Sequence, residues 1–145
     1  MASRLPAIGL AAALLALPAC GSSSGDACVT GIPGDPTPCS PLYPPTFDQI
    51  FSRTLQPTCA QPGAQCHSSA GIMGGLYFAT EDSAYGLLLG RNGAPARVIP
   101  GNASCSTLVE RLEATDPTQL MPPGAKLSDA EICTIVQWIQ QGAKR

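Results

Sequence analysis

Residues 59–67 read CAQPGAQCH, and this stretch decides how the rest of the chain is interpreted. It contains two cysteines, Cys59 and Cys66, and the chain's only histidine, His67, directly after the second thiol. Thiols beside an imidazole can bind a metal ion, close a disulfide or attach a prosthetic group covalently. Pro62-Gly63 is a turn dipeptide, so the residues between the cysteines can bulge outward. The stretch is therefore the first candidate for a functional site.

Four arrangements of these residues follow from the sequence. In covalent haem attachment two thiols add to the vinyl groups, and the adjacent histidine binds the iron. The usual spacing is Cys-x-x-Cys-His, whereas six residues separate Cys59 from Cys66 here. This gap also suits attachment through Cys66 alone, or a plain Cys59–Cys66 disulfide with His67 at the surface. A zinc site from the same three residues lacks an evident fourth ligand.

The amino-terminal residues are typical of an exported lipoprotein. Arg4 precedes an apolar run over residues 7–17, which is 11 residues long. A bilayer span needs about 20 apolar residues, whereas a signal peptide needs fewer. The run ends in Leu17-Pro18-Ala19-Cys20, which resembles the lipobox whose cysteine becomes the acylated first mature residue. We therefore expect a signal peptide at residues 1–19 and a lipid-bilayer anchor on Cys20.

Residues 20–45 are interpreted as a lipidated tether. Gly, Pro and Ser supply 14 of the 25 residues from 21 to 45, a composition that buries little apolar surface. Export places the following domain, residues 46–145, on the periplasmic face of a bacterial membrane. Gly21 after the lipidated cysteine gives no clear retention signal, which favours the outer membrane.

The seven cysteines become six once Cys20 carries lipid. An even set in an oxidising compartment favours disulfides, although six cysteines allow 15 pairings. The pairs nearest along the chain are Cys28–Cys39, Cys59–Cys66 and Cys105–Cys133. Haem attachment would remove the middle pair from this set.

Apolar periodicity predicts an all-α domain with about four helices and long loops. The predicted helices cover residues 47–55, 83–89, 103–113 and 128–142. Thr46 and Pro57 are expected to begin and end the first helix. Ser128 and Glu131 have the spacing of a capping box at the last helix, and Gly142 is expected to end it.

The order of these features resembles a class I cytochrome c domain, of the type common in planctomycete and myxobacterial exported proteins. The resemblance covers about Phe47 to Gly142. It rests on the helix before the cysteines, Cys66-His67, Gly74-Gly75-Leu76, Val98-Ile99-Pro100-Gly101, Met121-Pro122-Pro123 and the last helix with Trp138-Ile139-Gln140-Gln141-Gly142.

This resemblance implies covalent haem c, bound through Cys59 and Cys66, with His67 as one axial ligand of the iron. The methionine of the Met-Pro-Pro loop is the distal ligand in that family, and Met121 matches it. Met73 is a rival, but it lies only six residues after His67. Trp138 would either pack against the haem edge or belong to the core.

Two functions follow from these patterns. The first is a membrane-tethered monohaem cytochrome that carries single electrons between redox protein partners and is not itself an enzyme. The alternative is a haem-free, disulfide-stapled lipoprotein that uses a cytochrome-like scaffold as an interaction module. Loss of residues 1–19 removes Arg4, so 7 basic residues remain against 10 acidic ones. Because no basic patch appears, nucleic acid is not an expected partner.

Overall fold

The described part of the chain begins within the expected tether. The computed structural model describes residues 28–35, 38–61 and 66–145. The expected signal peptide, the expected lipidated Cys20 and the Pro62-Gly63 turn lie outside these residues. Within them, no helix has the length and apolar character needed to cross a bilayer.

Four α-helices dominate the described residues, which confirms the predicted all-α fold class. They are α1 (Phe47–Ile50), α2 (Glu81–Leu88), α3 (Thr107–Leu112) and α4 (Asp129–Gln140). The structure also contains a β-hairpin that was not expected from the sequence. Its two strands, β1 (His67–Ser68) and β2 (Gly71–Ile72), have two residues each and pair antiparallel. Short 3-10 turns lie at Met73–Gly75 and Arg91–Gly93.

The first helix runs further than predicted, because α1 continues as a π-helix over Phe51–Cys59. Pro57 does not end it, although proline lacks the N–H that an α-helix needs. The last turn closes through a wider bond, in which the Ala60 N–H donates to the Leu55 carbonyl at 3.1 Å. Thr46 precedes the helix, but its hydroxyl donates to the Asp48 carboxylate rather than capping the backbone. The continuation places Cys59 at the end of the helix.

The last helix has both predicted boundaries. Ser128 accepts the Glu131 N–H, and the Glu131 carboxylate accepts the Ser128 N–H, so the predicted capping box is confirmed. Gly142 has a φ of 95°, and its N–H donates to the Ile139 carbonyl at 2.9 Å. The Ala143 N–H donates to the Trp138 carbonyl at 2.9 Å. This pair of bonds is a Schellman motif, which requires a left-handed residue such as glycine at that position.

Aromatic packing joins α1 to α2 and α4. The Phe47 ring lies 5.2 Å from the Trp138 ring and 4.9 Å from the Tyr85 ring, measured between centroids. Trp138 is 2 % exposed, and its Nε1 donates to the Lys144 carbonyl at 2.7 Å. Trp138 is therefore a core residue with a satisfied N–H, which is the second of the two roles expected for it.

Helix α3 is shorter than predicted and begins at Thr107 instead of residue 103. The Asn102 side-chain oxygen accepts the Cys105 N–H at 3.2 Å, and the Asn102 carbonyl accepts the Ser106 hydroxyl at 2.7 Å. These bonds stabilise a turn over residues 102–106, since a short polar side chain competes with helical hydrogen bonding. Helix α2 begins two residues earlier than predicted, with Thr80 as its N-cap.

Two disulfides form among the four predicted cysteines, but the pairing differs from the expected one. The bonds are Cys28–Cys105 and Cys39–Cys133. The predicted pairs Cys28–Cys39 and Cys105–Cys133 are therefore wrong. Proximity along the chain suggested those pairs, whereas the fold brings each amino-terminal cysteine to a cysteine 77 or 94 residues away.

The described residues 28–35 and 38–45 form an N-terminal strap on the helical body, although a tether was expected up to residue 45. The Leu42 N–H is shared between the Ala130 carbonyl at 3.1 Å and the Thr134 hydroxyl at 3.0 Å. Ile32 and Tyr43 are buried, at 2 % and 7 % exposed. Disulfides and a few well-placed apolar side chains thus hold a segment whose overall composition is that of a spacer.

Candidate functional site

One largely apolar cavity, with a volume of about 330 Å³, contains the four residues predicted to bind the prosthetic group. This volume falls in the range of roughly 300–1,000 Å³ found for ligand and cofactor sites. Its apolar wall consists of Leu55, Leu76, Phe78, Leu108, Leu112, Pro122, Pro123, Leu127 and Ile135. The predicted residues on the wall are Cys59, Cys66, His67 and Met121. The structure therefore brings together residues that are up to 62 positions apart in the chain.

The two cysteines of the cavity are free thiols, unlike the four that form disulfides. The Cys59–Cys66 disulfide considered from the sequence is not formed. Burial raises the pKa of Cys59 to about 11, and the neighbouring Cys66 and Glu131 add smaller effects in the same direction. Cys59 is therefore protonated at neutral pH, facing an apolar space close to a second thiol.

The imidazole of His67 has one nitrogen without a partner. The residue lies on β1, where its carbonyl accepts the Phe78 N–H at 2.7 Å, and its ring lies 5.0 Å from the Phe78 ring. Nδ1 is buried and has no hydrogen-bond partner among the described residues. Burial lowers the pKa of His67, while nearby backbone of Leu76 and Met73 acts in the opposite direction. The site therefore holds a neutral imidazole, the form that binds metals.

Two methionines reach the cavity from different segments. The Met121 N–H donates to the Arg111 carbonyl at 2.9 Å, which ties the Met-Pro-Pro loop to α3. Met73 follows the hairpin that carries His67, and its N–H donates to the Cys66 carbonyl at 3.0 Å. The Met73 side of the cavity is open, since this residue is 56 % exposed. Met121 thus comes from a segment distant in sequence from the histidine, whereas Met73 shares the histidine's own segment.

Two arginines on the cavity wall, Arg97 and Arg111, were not selected from the sequence. Arginine on a short amphipathic helix ordinarily marks its solvated face, so the sequence around Arg111 gave no signal. The position of Arg97 depends on a loop whose conformation the sequence does not specify.

The donor set fits a covalently bound haem. Two free thiols, a neutral imidazole with an unpartnered buried nitrogen, and a thioether sulfur line one apolar cavity. These are the groups that attach and ligate haem in c-type sites. Among the described residues, no three His, Cys, Asp or Glu side chains are grouped as metal ligands, so the zinc arrangement finds no support in the geometry.

Comparison with known protein families also supports a cytochrome c-like protein. The model of the family described as Planctomycete cytochrome C matches residues 64–124, which supports a cytochrome c-like family for this chain. The matched region includes Cys66, His67 and Met121 and ends before α4, while Cys59 precedes it. No curated protein and no solved structure matches the chain.

Alkylation of Cys59 at pH 8 is expected to be about a hundredfold slower in the folded, haem-free protein than in the urea-unfolded chain. The thiolate is the reactive form, and burial raises the pKa of Cys59 from its ordinary 9.0 to about 11. Timed labelling with iodoacetamide, followed by mass spectrometry of the Cys59 peptide, measures both rates. Equal rates in the two states would show that the thiol is open to solvent.

Proposed function

We propose that this protein is a monohaem c-type cytochrome that carries single electrons between redox protein partners. Cys59 and Cys66 would hold the haem through thioether bonds, and His67 and Met121 would bind its iron. The bound haem supplies a one-electron iron couple. The observation that carries the proposal is the meeting of these four residues in one cavity.

The chain's own residues have separate tasks in this proposal. The apolar wall, including Leu55, Phe78 and Ile135, excludes water and lowers the local dielectric. His67 offers a neutral imidazole because burial lowers its pKa. Met121 supplies a soft thioether, which raises the reduction potential relative to harder ligands. Electron transfer needs no further catalytic group, so we do not expect an enzyme.

Membrane attachment is part of the same proposal. Lipid on Cys20 would anchor the protein in the bilayer on the periplasmic side, with the outer membrane favoured. Because the strap is bonded to the body from Cys28 onward, eight residues, 20–27, would separate the lipid anchor from the bonded part of the chain. Eight residues span at most about 30 Å, so the anchored domain would stay close to the membrane surface. A Cys20→Ala variant that remains in the membrane fraction would contradict this anchor.

Expression of the exported chain with a c-type maturation system tests the haem directly. The purified protein is expected to show haemochrome absorption, and the peptide containing Cys59 and Cys66 is expected to carry the mass of haem. A variant with both Cys59→Ser and Cys66→Ser is the matched control and should carry none. A Cys59–Cys66 disulfide without haem absorption in the wild-type protein would instead favour the haem-free interaction module.

The two methionines give a further expectation for the haem-loaded protein. Met121→Leu should lower the reduction potential by about 0.1 V or more, a fraction of the roughly 0.8 V that axial ligands span. Met73→Leu is the matched control and should leave the potential unchanged, since Met73 shares the histidine's segment. Potentiometric titration of both variants measures the shifts. A lower potential in Met73→Leu, with no change in Met121→Leu, would instead identify Met73 as the ligand.

A further inference from the structure

The charge on the cavity wall is of one sign. Among the described residues that line the cavity, the only charged ones are Arg97 and Arg111. Both are half-buried. A cation held against apolar surface is disfavoured unless an anion or hydrogen-bond acceptors compensate it. The cavity therefore combines a mostly apolar wall with positive charge at two places.

The backbone around Arg97 fixes its position beside α3. Its N–H donates to the Leu88 carbonyl at 2.8 Å, and its carbonyl accepts the Leu108 N–H at 2.9 Å. The guanidinium Nη2 donates to the Gly74 carbonyl at 2.9 Å. Since a guanidinium has five N–H donors, this bond leaves most of its capacity unused. Arg97 thus links α3 to the turn that follows the His67 hairpin.

Arg111 holds the other methionine-bearing segment. It lies on α3 one turn after Thr107, which also lines the cavity. Its carbonyl accepts the Met121 N–H at 2.9 Å, whereas its guanidinium makes no hydrogen bond or ion pair with the described residues. The two arginines are consequently tied to the two segments that carry Met73 and Met121.

The ion pairs of the described residues lie elsewhere. Lys126 pairs with Glu113 and Asp129, and Arg145 pairs with Glu81 and Asp82. No described carboxylate pairs with either cavity arginine, although the protein has more acidic than basic residues. Among the described residues, the counter-charge of these two arginines is therefore left to solvent or to a ligand.

We propose that Arg97 and Arg111 form a carboxylate subsite that binds the propionate groups of the haem, an inference that rests on the function proposed above. Guanidinium groups match carboxylates in charge and geometry and are well suited to hold them in a partly buried place. Each contact would join the ligand to one of the two segments described above. The arginines are positioning residues, since they orient the group rather than ligate the iron.

Mesoporphyrin IX tests this subsite without iron and without thioether formation, because it has two carboxylates and no vinyl groups. Its binding to the full, haem-free chain is compared with that of its dimethyl ester by fluorescence titration. Hydrogen bonds to charged groups are each expected to contribute about tenfold in affinity. The wild-type protein should therefore prefer the free acid by about a hundredfold, and an Arg97→Gln, Arg111→Gln double variant should lose the preference.

Matched variants separate the subsite from general charge. Arg53→Gln removes one positive charge from an exposed position and should keep the preference, whereas Arg97→Gln or Arg111→Gln alone, which removes one charge from the cavity, should reduce it. A variant with Arg97→Lys and Arg111→Lys keeps the positive charges but lacks the paired N–H donors of the guanidinium. It should retain part of the preference for the free acid. Equal affinity of the wild-type protein for acid and ester overturns the subsite, even if the double variant does not fold. A preference that survives in a folded double variant also overturns it. Failure of the wild-type chain to bind either porphyrin would also overturn the subsite, whereas the proposed haem function is decided separately by haemochrome absorption of the matured protein.

Discussion

Replacing His67 with phenylalanine is expected to lower covalently bound haem by at least about tenfold while leaving the haem-free fold as stable as before, or more stable. Loss of a residue that merely supports a metal ligand already costs about 10–100-fold, and the ligand itself should matter no less. The haem-free fold should tolerate the change because Nδ1 is buried without a partner. An unsatisfied buried polar group costs about 1–3 kcal/mol, which the variant avoids.

The local packing supports this expectation. The bond from the Phe78 N–H to residue 67 involves only the backbone carbonyl, so it survives the substitution. The imidazole already lies 5.0 Å from the Phe78 ring, and aromatic pairs at such distances are favourable. A histidine kept for structure would instead have both nitrogens satisfied. A variant that loses haem while its haem-free fold is as stable as before, or more stable, therefore identifies His67 as a ligand.

The pH dependence of the haem-free protein gives a second readout. Burial lowers the pKa of His67 in the folded state, so the unfolded chain binds this proton more readily. The free energy of unfolding should therefore decrease as pH falls below 6.5, the ordinary pKa, and the phenylalanine variant should lack this contribution. Urea titrations between pH 7 and 5 measure it. A variant that retains haem, or that is less stable than wild type at every pH, would contradict the assigned role.

Local chemical signals made much of the fold and site predictable. The Ser128 and Glu131 capping box and the left-handed Gly142 depend on residues close in sequence, and both are found where predicted. Four residues that line the cavity, Cys59, Cys66, His67 and Met121, were candidates from the sequence, through the Cys-His pattern and the resemblance of the Met121 loop. These signals suffice because each depends on a few neighbouring residues.

Two local departures from regular helix, and the features that depend on distant contacts, were not predictable in the same way. Pro57 is compatible with helical continuation only because the final turn widens, and α3 starts late because the Asn102 side chain stabilises a preceding turn. The role of Arg97 depends on the Gly74 carbonyl 23 positions earlier. The strap has the composition of a spacer and yet packs on the body, because its bonds are made to residues on α4 and in the turn before α3. Composition describes a segment's own tendency, whereas tertiary partners decide its structure.

Removal of the Cys39–Cys133 disulfide is expected to destabilise the protein by about 4 kcal/mol. Closing a loop of nearly a hundred residues removes more chain entropy from the unfolded state than closing a short one. The bond joins cysteines 94 positions apart, and Cys133 is fully buried on α4. Gln137 reinforces the junction, since its amide donates to the Cys39 carbonyl at 3.2 Å. Urea denaturation of a Cys39→Ala, Cys133→Ala variant measures the loss.

Single substitutions test the pairing itself. In a background with Cys59→Ser and Cys66→Ser, which prevents exchange with the free thiols, Cys39→Ala should free the thiol of Cys133 alone. Cys28→Ala is the matched variant and should free Cys105 alone. Thiol labelling with peptide mapping identifies the released cysteine in each case. If Cys39→Ala freed Cys28, the strap would be closed on itself by a loop of only 11 positions, and its removal should then cost about 3 kcal/mol without detaching the strap from α4. A strap bonded to α4 therefore predicts two results together: Cys39→Ala releases the thiol of Cys133, and loss of the disulfide lowers the free energy of unfolding by the larger amount.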